Sequence, residues 1–238
     1  MARRLSVGVP PRNIYPFPPF DEVLIRVVIK AIRTAWVPIA LEEYQVSVGS
    51  ERDEVALNYA MTEKINEIRL SGKIPGFTSE VFETVVVDAP TKDFTGNRIN
   101  SRPDITLRLR NIRPGVANPT IDAIFIECKR LRQVSNFGRY FSSGMDKFLQ
   151  GQYAWAVSQA IMIGYVETSQ KLPDALQIGL ERLDRPSRAQ VVPYKARLVR
   201  PSGQSYAAFT RHHRTWQHPN EDHPGDIELT HVWLCYTD

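Results

Sequence analysis

Cysteine is scarce in this sequence, and the scarcity excludes one whole class of small protein. Only Cys128 and Cys235 occur; one sits in an apolar run and the other far downstream, so no disulfide framework is expected and a reducing, cytoplasmic setting is. No apolar run approaches the roughly 20 residues a membrane span needs, so no membrane partner is expected either. The start, MARRLSVGVPP, is basic but lacks a contiguous apolar segment, and no secretory signal is read there. Several chemistries are missing their signatures: there is no P-loop, no GxGxxG, no GxSxG and no HExxH. His212, His213, His218, His223 and His231 crowd into the last part of the chain at spacings that fit no structural zinc site. Arg211, His213 and His231 are expected to face solvent or phosphate instead.

What is present is an ordinary globular composition, 42% hydrophobic and 24% charged over 238 residues, enough for one large core or two small ones, one being the simpler choice. The net charge of +4 permits a polyanionic partner without requiring one.

The informative stretch is Ser101 to Leu131, two alternating apolar runs joined by a Gly/Pro/Asn-rich connection. Side chains two apart on a strand share a face. In the second run Phe125, Glu127 and Lys129 therefore lie opposite Ile124, Ile126 and Cys128. In the first, Asp104, Thr106, Arg108 and Arg110 lie opposite Ile105, Leu107 and Leu109. If the two strands pair, Asp104 and Glu127 converge at one end of the sheet. Two carboxylates that close repel, and one is expected to hold a proton unless a cation neutralises them. Mg²⁺, held by carboxylates, water and substrate phosphate, meets that need, and Lys129 is then placed to touch the attacking water or the scissile phosphate. The alternative is an exposed strand bearing three ordinary surface charges; the unbroken Ile124, Phe125, Ile126 run argues for burial instead, and buried charge requires partners.

Pro103-Asp104, 22 intervening residues, then Glu127-Cys128-Lys129 resembles the signature of the PD-(D/E)XK nuclease superfamily. The resemblance covers about residues 51–167. It implies a restriction-endonuclease-like mixed α/β sheet with an αβββαβ core and Mg²⁺-dependent (Mn²⁺ substituting) hydrolysis of nucleic acid, DNA being the usual substrate. It makes Asp104 and Glu127 metal ligands, the Cys128 carbonyl a further candidate ligand, and Lys129 the catalytic lysine. A role in restriction or phage defence is implied by kinship alone.

The rest of the chain is read around that core. Residues 1–20 form a proline-rich arm with interleaved aromatics, lying on its own domain or on a partner. Residues 21–238 are read as a single domain. Asp21 caps a helix with Val23, Val27, Ala31 and Ala35 inward, stopped by Pro38. A second helix spans about Ser50 to Leu70, capped by Ser50, with the stripe Leu57, Met61, Ile65, Ile68. Three residues before Leu57, Glu54 falls on that stripe; it is either a solvated first-turn acid or, as the resemblance implies, an extra metal ligand. Glu51 and Glu63 lie off the stripe. Val81 to Val87 reads as the first strand.

Arg98, Arg102, Arg108, Arg110 and Arg113 surround a single acid, Asp104. With Arg130 and Arg132 they suit phosphate contacts, or simply a solvated face. A polar loop is expected from Gln133 to Gly144, then a helix from Asp146 to Val157 with Phe148, Trp155 and Ala156 inward. By the resemblance, Gln152 and Tyr153 are candidates for a polar residue that this helix brings towards the site; their spacing favours its surface and the core rim respectively. Ala160 to Val166 reads as a buried parallel strand. Beyond it come a short helix over Leu176 to Leu183, a basic stretch over 181–214, and a hairpin of Ser205 to His213 with Asp226 to Tyr236 that covers a sheet edge. A silent nucleic-acid-binding subunit and an RNA-directed nuclease are the competing functions. A homo-oligomer or a partner ATPase or helicase subunit stays open.

Overall fold

The computed structural model describes residues 15–46, 54–98, 100–131, 137–166, 179, 191–192, 205–214, 216–218 and 223–236. The order is helix α1 (Glu22–Val46), helix α2 (Glu54–Ser71), β1 (Val86–Val87), β2 (Ile105–Leu107) and β3 (Ile124–Leu131). Next comes an unbroken helical run made of α3 (Phe137–Arg139), a π-helical stretch (Tyr140–Met145) and α4 (Asp146–Leu149). Strands β4 (Gln159–Val166), β5 (Val191–Val192), β6 (Ser205–His213) and β7 (Asp226–Cys235) complete it. The strands form one mixed open sheet in the order β1-β2-β3-β4-β7-β6-β5. Its centre, β3-β4-β7, is parallel, and both flanks are antiparallel. The molecule is thus α/β, and the C-terminal hairpin extends the sheet from the free edge of β4.

Register sorts the side chains onto two faces. Cys128, Ile163 and Val232 share one of them, as do Arg130, Tyr165 and Leu234. The long helices cover this face: Trp36 of α1 stacks on Tyr165, and the Tyr165 hydroxyl donates to Asn58 of α2 at 3.0 Å. On the other face the rows are Glu127–Met162–His231 and Lys129–Gly164–Trp233. The helical run covers that one, and Tyr140 packs against His231 and Trp233.

Helix α1 does not stop at Pro38 but continues to Val46. Its buried stripe is Ile25, Val28, Ile29, Ile32, Trp36 and Ile39, with Val23 exposed. Burial on both sides of Pro38 outweighs the one main-chain bond that the ring removes, and the Trp36 indole N–H is tied to the Cys235 carbonyl at 2.8 Å. The α2 stripe of Leu57, Met61 and Ile65 is buried as expected. Ser50, its expected cap, and Glu51 lie outside the described residues.

The first strand is shorter than its sequence suggests. Only Val86 and Val87 join the ladder, with a further bridge from Phe82 to Leu109. Side chains of α2 take the place of a strand there: Asn66 bonds both the N–H (3.0 Å) and the carbonyl (2.9 Å) of Val85, and Arg69 reaches the Phe82 carbonyl.

The expected helix from Asp146 to Val157 is displaced. Helix begins at Phe137, inside the span read as loop, and ends at Leu149, because Gly151 and Ala154 both take left-handed backbone angles and turn the chain. Of the arm, Phe17 and Phe20 are buried against the chain's own body, with the Phe17 N–H donating to the Ala156 carbonyl at 2.7 Å. Nearly all of the helix expected over 176–183, and much of the basic stretch over 181–214, lies outside the described residues.

Replacing Pro38 by Ala should restore the missing bond to the Thr34 carbonyl. A gain of about 1–3 kcal/mol is expected in a urea melt; an unchanged midpoint would show that α1 is already relaxed around the proline.

Candidate active site

Strands β2 and β3 pair antiparallel only as far as Ile105 opposite Ile126. One step further, the same register sets Asp104 opposite Glu127, where β2 leaves the ladder and β3 runs on. The N–H groups of Cys128 and Arg130, two residues apart, face the side that β2 has vacated. Carboxylates take over there: Asp104 Oδ2 accepts from the Cys128 N–H at 2.6 Å, and Glu54 Oε2 from the Arg130 N–H at 2.9 Å. Glu54 thus points inward from the start of α2, the position its place on the stripe requires.

The Lys129 amine lies at the centre of this arrangement. Its Nζ is 2.9 Å from Glu54 Oε1, 2.9 Å from Glu127 Oε1, 2.6 Å from the Cys128 carbonyl and 3.9 Å from Asp104 Oδ2. All five residues singled out for catalysis or metal binding are therefore brought together. Glu127 is fully buried and is held at three points: by Lys129, by Lys147 Nζ at 2.5 Å, and by the Tyr153 hydroxyl, which donates to Oε2.

Sequence reasoning missed Lys147, and it favoured the core rim for Tyr153 over the place beside the acids that the residue takes. Lys147 carries no periodic signal, since the apolar spacing around it is that of a π-helical stretch. Tyr153 is aimed by a turn that was read as helix. Gln152, by contrast, donates to the Gln150 side chain. Gly144 lets the helical run approach closely: a Cβ there would come within 2.8 Å of the Met162 methyl and 3.4 Å of Lys129 Cγ.

Three carboxylates face two ammonium groups, one negative charge in excess. Burial, and after it the charge of Glu127, raises the Asp104 carboxyl to about 7 against the opposing pull of Lys129. For Lys129, burial alone would lower the amine; Glu127, Asp104 and Glu54 outweigh it and hold the amine above its ordinary value, cationic at neutral pH. Burial and Glu127 raise the Tyr153 phenol, so it remains a donor.

The donor set suits a hard divalent ion, because carboxylate and carbonyl oxygens from three elements converge on one point. Among the described residues, no group of three or more His, Cys, Asp or Glu side chains could hold a metal as placed; the ammonium of Lys129 stands at the point of convergence.

The arginines divide. Arg98 and Arg102 are exposed on the segment leading to Asp104. Arg108 and Arg110 continue past β2 and pair with residues 81–83, and Arg110 lies roughly 20 Å along the extended chain from Asp104. Arg113 is committed to Asp122 and to the carbonyls of Pro18 and Pro19. Arg130 is half-buried, and Arg132 lies outside the described residues. His231 does not face solvent: it is buried, bonded to Tyr140 and Thr210, and lowered to about 3 by burial and by His212. Strand β7, parallel to β4 and antiparallel to β6, is buried on both faces, so alternation could not have assigned it outward. Arg211 and His213 are exposed as expected, both bonded to Asp226. Comparisons of the chain with family models, with curated proteins and with solved structures find no match.

The raised Asp104 pKa fixes a pH dependence. The folded chain binds that proton more tightly than an unfolded chain, whose carboxyl ionises near 3.8, so this contribution to stability is complete below about 4 and lost as pH rises through about 7. Asp104→Asn keeps the oxygen that accepts from Cys128 but cannot ionise. In EDTA its melting temperature should exceed the wild type's at pH 8, with the gap shrinking towards pH 4; a constant gap contradicts the buried-charge account.

Proposed function

We propose that this chain is a divalent-metal-dependent nuclease of the PD-(D/E)XK kind, with a restriction-endonuclease-like core running from α2 through β1, β2, β3 and the helical run to β4. The observation that carries the reading is the meeting of Glu54, Asp104, Glu127 and the Cys128 carbonyl around one lysine amine. A scaffold kept only for binding has no need of three mutually repelling acids.

When bound, Mg²⁺ polarises the phosphate and lowers the pKa of the attacking water. Asp104, Glu127, Glu54 and the Cys128 carbonyl would hold it. Tyr153 fixes Glu127 Oε2, which leaves Oε1, now shared by the Lys129 and Lys147 amines, as the oxygen that would turn to an ion. With an ion bound there the Lys129 amine would be displaced from that point, and its flexible stem would let it donate to a nearby water or phosphate oxygen. Held cationic, it acts as a hydrogen-bond donor that orients water and stabilises developing negative charge, not as the base that removes a proton. Lys147 keeps the buried Glu127 neutralised while Lys129 is engaged elsewhere. Exposed Arg98 and Arg102 supply sequence-independent, salt-sensitive grip on the backbone. DNA is the proposed substrate, restriction or phage defence the proposed setting, and the cytoplasm the proposed location.

Cleavage of plasmid and linear DNA in Mg²⁺ should fall at least about a hundredfold in Asp104→Ala and in Lys129→Ala. Equal cutting by all three proteins would sink the assignment. Salt-sensitive binding without cutting by the wild type favours a silent nucleic-acid-binding subunit, and cutting of single-stranded RNA alone favours an RNA-directed enzyme.

A further inference from the structure

Arg214, the residue after β6, is fully buried. Its hydrogen bonds run to main-chain carbonyls: Nε donates to Gly225 at 3.0 Å, one terminal nitrogen to Ala154 at 3.3 Å and Trp155 at 3.4 Å, and the other to Pro224. Burial lowers the guanidinium to about 10, still charged at neutral pH. A buried cation is costly, and here the rigid fork of donors serves to gather several carbonyls at once.

Two of those carbonyls belong to one unusual turn. Ala154 has φ +57°, a left-handed conformation that a residue with a Cβ seldom adopts unless its surroundings enforce it. The preceding residue is Tyr153, whose hydroxyl donates to Glu127 Oε2. The same turn is also tied down by the Trp155 indole N–H, which donates to the Lys92 carbonyl at 2.9 Å.

We propose that Arg214 is a positioning residue for the Glu127 carboxylate, acting through the Ala154–Trp155 turn that aims the Tyr153 hydroxyl. The guanidinium clamps the turn, the turn orients the phenol, and the phenol decides which oxygen of Glu127 is left for a cation. The consequence for cation binding rests on the nuclease reading; the mechanical link from Arg214 to Tyr153 does not.

Arg214→Lys keeps the charge but loses the fork. A phenol bonded to a carboxylate away from water gives a far-downfield hydroxyl proton, here assigned by its disappearance in Tyr153→Phe. In Arg214→Lys that proton should shift or vanish, while the Trp36 indole proton stays in place and reports an intact fold. Mn²⁺ affinity, read by calorimetry, should fall roughly tenfold, as in Tyr153→Phe, with the double variant no weaker than either single one. Ala154→Gly on the Arg214→Lys background should recover part of that affinity, because glycine adopts the turn unaided.

An unchanged hydroxyl proton in folded Arg214→Lys, or additive losses in the double variant, overturns the proposal. Should Arg214→Lys fail to fold, Ala154→Val, which disfavours the left-handed turn with Arg214 intact, must move the same proton, and a static signal there also overturns it. A wild type that takes up no Mn²⁺ defeats the nuclease reading, and the hydroxyl proton then decides the role of Arg214 alone.

Discussion

Two main-chain N–H groups, those of Cys128 and Arg130, would be left without partners where β2 departs from β3, and the site exists because carboxylates fill that gap. A strand that outruns its neighbour must find acceptors for its exposed donors. Asp104 and Glu54 provide them, and in doing so they are drawn within reach of Glu127 on the same strand. The acids are thus crowded by the needs of the backbone, and Lys129, from the middle of that segment, supplies the counter-charge. Fold and chemistry share these hydrogen bonds, so a substitution at Asp104 or Glu54 touches both.

This centre was legible in the sequence to the extent that it rests on short-period geometry. Alternation put Glu127 and Lys129 on one face, neighbouring strands put Asp104 opposite, and a count of three along a helix put Glu54 inward. Lys147 was not legible and Tyr153 only as the less favoured reading, because both depend on the length and ending of the helical run. A π-helical stretch from Tyr140 to Met145 breaks the expected spacing, and the left-handed turn at Ala154 has no glycine to announce it. The reading of His231 failed for a different reason: β7 is buried on both faces, so its polar residues gave no outward signal. Pro38 misled because a local rule yielded to tertiary packing on either side.

The second polar system on the sheet face that carries Glu127 and Lys129 has a supporting character. Tyr140 accepts from the Trp233 indole and bonds His231, which bonds Thr210, which in turn bonds His212. Burial lowers His212 to about 4, so both rings remain neutral over the physiological range. A neutral, hydrogen-bonded chain of this kind fixes the helical run over β7 without adding charge to a face that already carries three acids and two amines.

The bracing of Tyr153 also bears on how the molecule comes into being. Arg214 lies 60 residues downstream of the Ala154 carbonyl it holds, and it reaches that carbonyl from a hairpin that docks on β4. On the ribosome, the acids and Lys129 emerge well before this hairpin has been made. A nascent chain therefore carries these acids and Lys129 for some time before the Arg214 clamp on the Ala154 turn can form, and the cluster is braced only with the closing strands.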